Sequence, residues 1–272
     1  MVVRDLKDGS SIVSTQEDHA ELSAQFAARW GNKNFSKLRP YQSMVFATTY
    51  HDSGYREWEG NPPMNVEKGR PYGHRENIPE FEPVELKAYV KNVEWVRSRD
   101  RYAGLLVSMH RTGLWQNRYN TFTTPKGRIR ERSVEVKAVL RELEAGQDEE
   151  KKALGGGDTR FDRDLWFNFR MLQIYDLLSL YFCCDGYAED GFKEDLIAPV
   201  PLAYDSKEEV DLRIIPTGAN SVRMDPYPFD LSPLKVSVRA RVIQPARFGA
   251  EEECREAYHK APRCLLTFEI AK

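Results

Sequence analysis

Cysteine is scarce in this chain: four occur in 272 residues, Cys183, Cys184, Cys254 and Cys264, and none falls in a C-x-x-C spacing. That excludes a thiolate zinc ribbon, and adjacent Cys183-Cys184 suits neither a zinc pair nor a disulfide. The expectation is reduced thiols in a cytoplasmic protein. Charge of one sign is not in excess either, with 40 basic against 42 acidic residues and a net charge of −2. Such a balance supports neither a nucleic-acid coat nor a membrane-surface patch. No apolar run approaches the ~20 residues of a bilayer span. Met1 to Ile12 carries charges and no signal-peptide hydrophobic region. The sequence also lacks G-x-S-x-G, has no cysteine beside a histidine, and does not follow Gly155-Gly156-Gly157 with the Lys-Ser/Thr of a phosphate-binding loop.

What remains is a globular composition, 41% hydrophobic and 30% charged, long enough for one large domain or two small ones. Apolar alternation around Asp8-Gly9 predicts a hairpin from Val2–Leu6 and Ser11–Val13. Ser14 and Glu17 read as a capping box that starts a helix near Thr15. Its inward face carries His19, Leu22, Ser23, Phe26 and Trp30, and Gly31 ends it. The helix after Pro40 turns Met44, Thr48, His51, Asp52 and Tyr55 inward. Residues 57–83 read as a loop, broken by Pro62-Pro63, Gly69, Pro71, Gly73 and Pro79, and they carry His74.

Helices follow over about Val84–Arg97 and Arg101–Gln116, the second striped by Ala103, Leu106, Val107, His110 and Leu114. Arg128–Ala153 reads as a charged, solvated helix or flap. Phe161–Cys183 is the most hydrophobic helix, with Asp176 in the stripe Leu165, Phe169, Leu172, Leu180. After about Leu196 the period changes to two, in Val210-Leu212-Ile214, Val236-Val238-Ala240-Val242 and Leu266-Phe268-Ile270, which predicts half-buried antiparallel strands. The pattern as a whole predicts a mainly α (α+β) chain. A helical core over 1–196 carries the short N-terminal hairpin, and a β-rich subdomain over 197–272 is appended as an antiparallel sheet, joined by that hairpin.

The polar residues on those apolar stripes, His19, His51, Asp52, His110 and Asp176, share a reason to face a core if they bind one divalent ion at its centre. Adjacent His51 and Asp52 on a helix project about 100° apart, so both reach one ion only near the bundle axis. Imidazole and carboxylate suit zinc, manganese, iron or nickel, as one ion or two, and leave positions open for water and substrate. Taken singly, each residue has a structural alternative: an imidazole bonded to a carbonyl, or, for Asp176, a helix cap or a partner in Arg111 or Arg170.

The order His19, His51-Asp52, Asp176 on successive helices resembles the HD-domain superfamily of metal-dependent phosphohydrolases. The segments Gln16–His19, His51–Tyr55, Ser108–His110, Leu172–Leu180 and Asp225–Phe229 are more closely similar to an uncharacterised, mainly bacterial family known only as a domain of unknown function. The superfamily resemblance implies an HD-domain-like helical bundle with a metal at its centre. Some HD-fold enzymes are mixed-valent di-iron oxygenases with ligands in the order His, His-Asp, His, His, Asp, which this chain matches when His74 is counted.

Three functions are therefore expected. The first is a metal-dependent hydrolase of a phosphoester or phosphoanhydride in a small anionic substrate. In it His19, His51, Asp52 and Asp176 hold the ion and Asp52 or Asp18 positions the attacking hydroxide. His110 binds a second ion or steadies the leaving group, while Arg56, Arg111, Tyr55 and Trp115 form the substrate pocket. The second is a di-iron oxygenase cleaving a C–C or C–P bond, with His74 as the sixth ligand. The third is a non-catalytic, metal-stabilised binding scaffold whose sheet offers a homodimer surface. Neither nucleic acid nor membrane is expected as a partner.

Overall fold

The computed structural model describes residues 1–79, 81–115, 133–188 and 191–272. The chain opens with a hairpin, β1 (Val2–Asp5) and β2 (Ser11–Ser14), closed at Gly9, whose φ of 82° suits glycine. Helix α1 (Gln16–Arg29) follows at once. Its cap is Thr15 with Asp18, one residue later than the sequence pattern places it, because Ser14 is the last residue of β2. Thr15 Oγ1 accepts from the Asp18 amide, Asp18 answers at the Thr15 backbone, and Glu59 accepts from the Gln16 amide at 2.7 Å. Three acceptors thus serve the orphan amides and positive end of this helix.

Helix α2 (Tyr41–Tyr50) is followed by a 3₁₀ turn (Ser53–Tyr55) and the single-turn α3 (Arg56–Glu59). The expected loop contains a two-stranded pair, β3 (Met64–Asn65) and β4 (Arg70–Pro71). Then come α4 (Phe81–Arg97), α5 (Arg101–Trp115), α6 (Val134–Gly155) and α7 (Thr159–Leu180), and α7 widens into a π turn over Tyr181–Asp185. Part of the expected solvated helix, 128–132, lies outside the described residues. The rest is α6, which is capped by Ser133 and buries Val136, Leu140 and Gln147. A small pair, β5 (Tyr187–Ala188) and β6 (Gly191–Phe192), leads to β7 (Asp195–Pro201), β8 (Glu209–Gly218), β9 (Ser221–Asp225) and β10 (Leu234–Ile243). Helix α8 (Glu251–Lys260) precedes the last strand, β11 (Arg263–Ala271).

The expectation of a mainly α, HD-domain-like bundle with a C-terminal antiparallel sheet appended is overturned. The chain is 49% helical and carries a large, curled seven-stranded sheet in the order β1-β2-β10-β11-β9-β8-β7. Both ends of the chain build it, since β2 pairs with β10 through Val13 opposite Arg241 and Ile12 opposite Val242. The sheet is mixed, because β11 and β9 run parallel. The physical cause lies in β2, which has a neighbour on both edges and is buried at all four residues. Local alternation identifies such a strand but not its distant partner.

The inward faces of β8 and β10 (Leu212, Ile214, Val236, Val238, Ala240) follow the period-two pattern in the sequence. Helices α1 and α7 lie on the sheet against β10 and β7. Helices α2 and α5 pack on α1 and α7, and α4 and α6 pack on α5. One hydrophobic cluster runs through these layers, from Val2, Phe26 and Leu106 to Tyr175, Leu212 and Phe268. Among the described residues no helix is long and apolar enough to cross a membrane. All four cysteines are free.

Gly54 is where the turn after α2 touches α4. A Cβ there would stand 2.2 Å from the Ala88 carbonyl oxygen and 2.8 Å from Asn92 Cβ. Gly54→Ala is expected to lower stability by about 1–3 kcal/mol, as overpacking does, read as a shifted urea midpoint at constant slope. An unchanged midpoint would show that this contact yields freely.

Candidate metal centre

Helix α2 stops at Tyr50, and that stop builds the site. His51 is still in helical conformation (φ −59°, ψ −27°), whereas Asp52 has left it (φ −116°, ψ 9°). The two neighbours therefore turn toward one point, rather than keeping the 100° divergence of helical neighbours. The stop is held from outside. Asn92 of α4 donates to the carbonyls of Tyr50 (3.0 Å) and His51 (2.8 Å) and accepts from the Ser53 hydroxyl (2.6 Å). Arg111 of α5 donates to the same His51 carbonyl at 2.8 Å. These bonds serve the carbonyls that a helix C-terminus leaves open.

Around that point stand His19 from α1, His110 from α5 and Asp176 from α7, all buried. His19 Nε2 lies 3.2 Å from Asp176 Oδ1 and 3.4 Å from Asp52 Oδ2. His110 Nε2 lies 3.8 Å from Asp176 Oδ2. The His51 ring meets those of His19 and His110 edge-on, with centroids 5.2 and 5.0 Å away. Ligand atoms of His19, His51 and Asp176 all lie within 4.8 Å of one another, so these three form a possible metal-binding group. The structure thus brings together the five residues His19, His51, Asp52, His110 and Asp176 named from the sequence.

His51 is the informative member. Its Nδ1 donates to the Thr48 carbonyl at 2.8 Å, which fixes the ring and leaves Nε2 aimed at the carboxylates. There Nε2 stands 3.6 Å from Asp176 Oδ1 and 3.7 Å from Asp52 Oδ2, beyond hydrogen-bond reach, and it is buried without a hydrogen-bond partner. An orphaned buried acceptor costs about 1–3 kcal/mol.

Burial lowers the pKa of His19 against the opposing pull of Asp176, and burial with the neighbouring His51 pushes His110 down to about 3. Burial alone would raise Asp176. The imidazoles of His19 and His51 that face it outweigh that and hold its carboxyl well below the usual carboxylate range. Deprotonated imidazoles beside an ionised carboxylate are the protonation state a divalent cation requires of its ligands.

The remaining candidates lie elsewhere or are otherwise engaged. Arg111 is buried, ion-paired to Asp52 and placed 4.1 Å over the Tyr89 ring. Arg170, the other suggested partner of Asp176, binds Glu209 and the Pro199 carbonyl. Arg56 is exposed and pairs with Glu17. Asp18 serves the α1 cap and pairs with Arg239 at 3.0 Å. Tyr55 and Trp115 are buried in the cluster that holds Tyr89.

His74 lines a separate cavity of about 830 Å³, where it approaches Cys184 and Asp185 of the π turn. Burial and the adjacent Arg75 charge push its pKa to about 3. Arg75 donates to His74 Nε2 at 3.3 Å and pairs with Asp185, so a cation is already seated in that trio. Sequence reasoning missed Asn92 and, although it placed Thr48 on the inward face, the part that the Thr48 carbonyl plays in orienting His51. Asn92 was visible as an amide in the apolar row of Ala88, Tyr89, Val93 and Val96.

A family model described as a protein of unknown function (DUF3891) matches residues 1–245, and the chain belongs to that family. No curated protein and no solved structure matches it.

Arg111→Met strips the guanidinium from buried Asp52. In chelator-treated protein it is expected to cost about 3–5 kcal/mol, with the Arg111→Met/Asp52→Asn double variant costing clearly less than the sum of the singles. Additive losses by urea denaturation would show that the pair is not coupled.

Proposed function

We propose that this chain is a metal-dependent hydrolase acting on a phosphoester or phosphoanhydride of a small anionic molecule. The observation that carries the reading is the desolvated, fixed Nε2 of His51, which has no hydrogen-bond partner and is aimed at two carboxylates among two further imidazoles. The donor set fits a divalent ion of the zinc, manganese, iron or nickel type: nitrogen and oxygen only, without thiolate. His19, His51, Asp52 and Asp176 would hold it, with His110 as a further ligand or as the holder of a second ion. An ion bound there supplies Lewis acidity and lowers the pKa of a water toward ~7.

The chain's own groups do the rest. Thr48 fixes the His51 tautomer. Asn92 and Arg111 lock the backbone that presents His51 and Asp52. Arg111 also offsets the Asp52 charge, which tempers how strongly that carboxylate pulls on a cation. His110, held neutral by burial with Nε2 3.8 Å from Asp176 Oδ2, is placed to ligate a second ion or to steady the leaving group. The order His19, His51-Asp52, Asp176 resembles that of the HD-domain phosphohydrolases, and this likeness rests on the residue order alone.

Purified protein is expected to carry one or two equivalents of divalent metal by elemental analysis. His51→Ala and Asp176→Ala should lose most of it, and chelation should lower Tm until metal is returned. Hydrolysis of bis(p-nitrophenyl) phosphate should vanish with chelator and recover with the ion. Metal-free wild-type protein, with Asp176→Ala merely losing the ~0.5–3 kcal/mol of an ordinary core change, would instead leave a scaffold. Iron present as a coupled pair would favour oxygenase chemistry.

A further inference from the structure

The cavity lined by His74 contains an arginine that the metal reading does not use. Arg4 projects from β1 and lies flat on Tyr187, its guanidinium carbon 3.6 Å from the ring centroid. Its Nε and Nη1 are buried and have no hydrogen-bond partner. The cavity's neighbouring arginines differ. Arg70 is closed by Asp5 at 2.7 Å and Glu76 at 2.8 Å, and Arg75 pairs with Asp185. Among the described residues Arg4 has no carboxylate within ion-pair distance. Guanidinium nitrogens stripped of water and given no acceptor are costly, and the ring beneath them supplies none. Planar fork donors of this kind match a phosphate or similar oxyanion.

The cavity is linked to the proposed centre by one helix. Cys184, in its wall, is eight residues beyond Asp176 on the same helix and its π turn, roughly 12 Å at helical rise. His74 lies in the same wall. Its volume of about 830 Å³ falls within the range of small-molecule sites.

We propose that this cavity is an anion subsite in which Arg4, on its Tyr187 platform, holds a phosphate of the substrate remote from the bond that is cleaved. The proposal rests on the hydrolase reading for the word substrate, and on Arg4, Tyr187 and the cavity for the anion. It names the substrate class as a small molecule bearing two separated anionic groups, one reacting and one anchoring.

The test uses the full chain in excess EDTA, so that the metal centre takes no part, and inorganic pyrophosphate as the probe by isothermal titration calorimetry. Wild-type protein should bind, with an affinity that falls as salt is raised. Arg4→Gln should weaken binding at least tenfold, and Arg4→Lys should also weaken it by losing the planar fork. Arg213→Gln, which removes the same charge from the exposed Glu194 pair, should match wild type. Wild-type protein that does not bind, or Arg4→Gln and Arg4→Lys that both bind as wild type does, overturns the subsite. Arg4-dependent binding by a protein that proves metal-free retains the subsite and removes the hydrolase.

Discussion

The break after Tyr50 is the constraint on which the proposed centre depends. Had α2 run on, His51 and Asp52 would diverge around the helix and one of them would leave the core. Ending the helix at His51 aims both inward, but it leaves backbone carbonyls open in a dry interior. Asn92 and Arg111, on two other helices, accept that burden at the carbonyls of Tyr50 and His51. The same Arg111 meets the Asp52 carboxylate, so one guanidinium both closes the backbone and balances the charge that the break exposes. Backbone termination, charge balance and ligand direction are therefore one arrangement, not three.

How much of this was legible follows from the range of each interaction. The five residues of the centre were visible because each is a local anomaly, a polar side chain within an apolar helical stripe or, for His51 and Asp52, at the end of one, and a stripe needs only 3.6-residue periodicity to be seen. The period-two faces of β8 and β10 were legible for the same reason. The hairpin's junction with the later strands was expected, but the sheet's order was not, because β2 finds its register on β10 across more than 200 residues and β9 finds β11 in parallel, and neither leaves a mark in local sequence. The partner of Arg111 was equally hidden. A positive residue next to His110 reads as a substrate clamp until the fold places Asp52 against it.

Helix α7 links the two polar regions of the molecule. Its middle supplies Asp176, and its end loosens into the π turn that places Cys184 and Asp185 in the wall of the cavity. Arg75 then bridges His74 and Asp185, so that His74 faces the cavity as a neutral imidazole with its ring nitrogen already engaged.

The N-terminal hairpin closes this logic from the other side. β2 runs directly into the cap of α1, so the strand that pairs with β10 also sets where His19 enters the core. β1, one strand out, carries Arg4 to the ring of Tyr187. Both polar regions are thus registered on the same pair of strands, and a slip of one residue in the β1–β2 pairing would turn Arg4 away from Tyr187, because alternate residues of a strand face opposite sides. Gly9, at φ 82° in the connecting turn, is where that register is set. On this view the hairpin is less an ornament of the sheet than the ruler that spaces the anion subsite from the imidazoles.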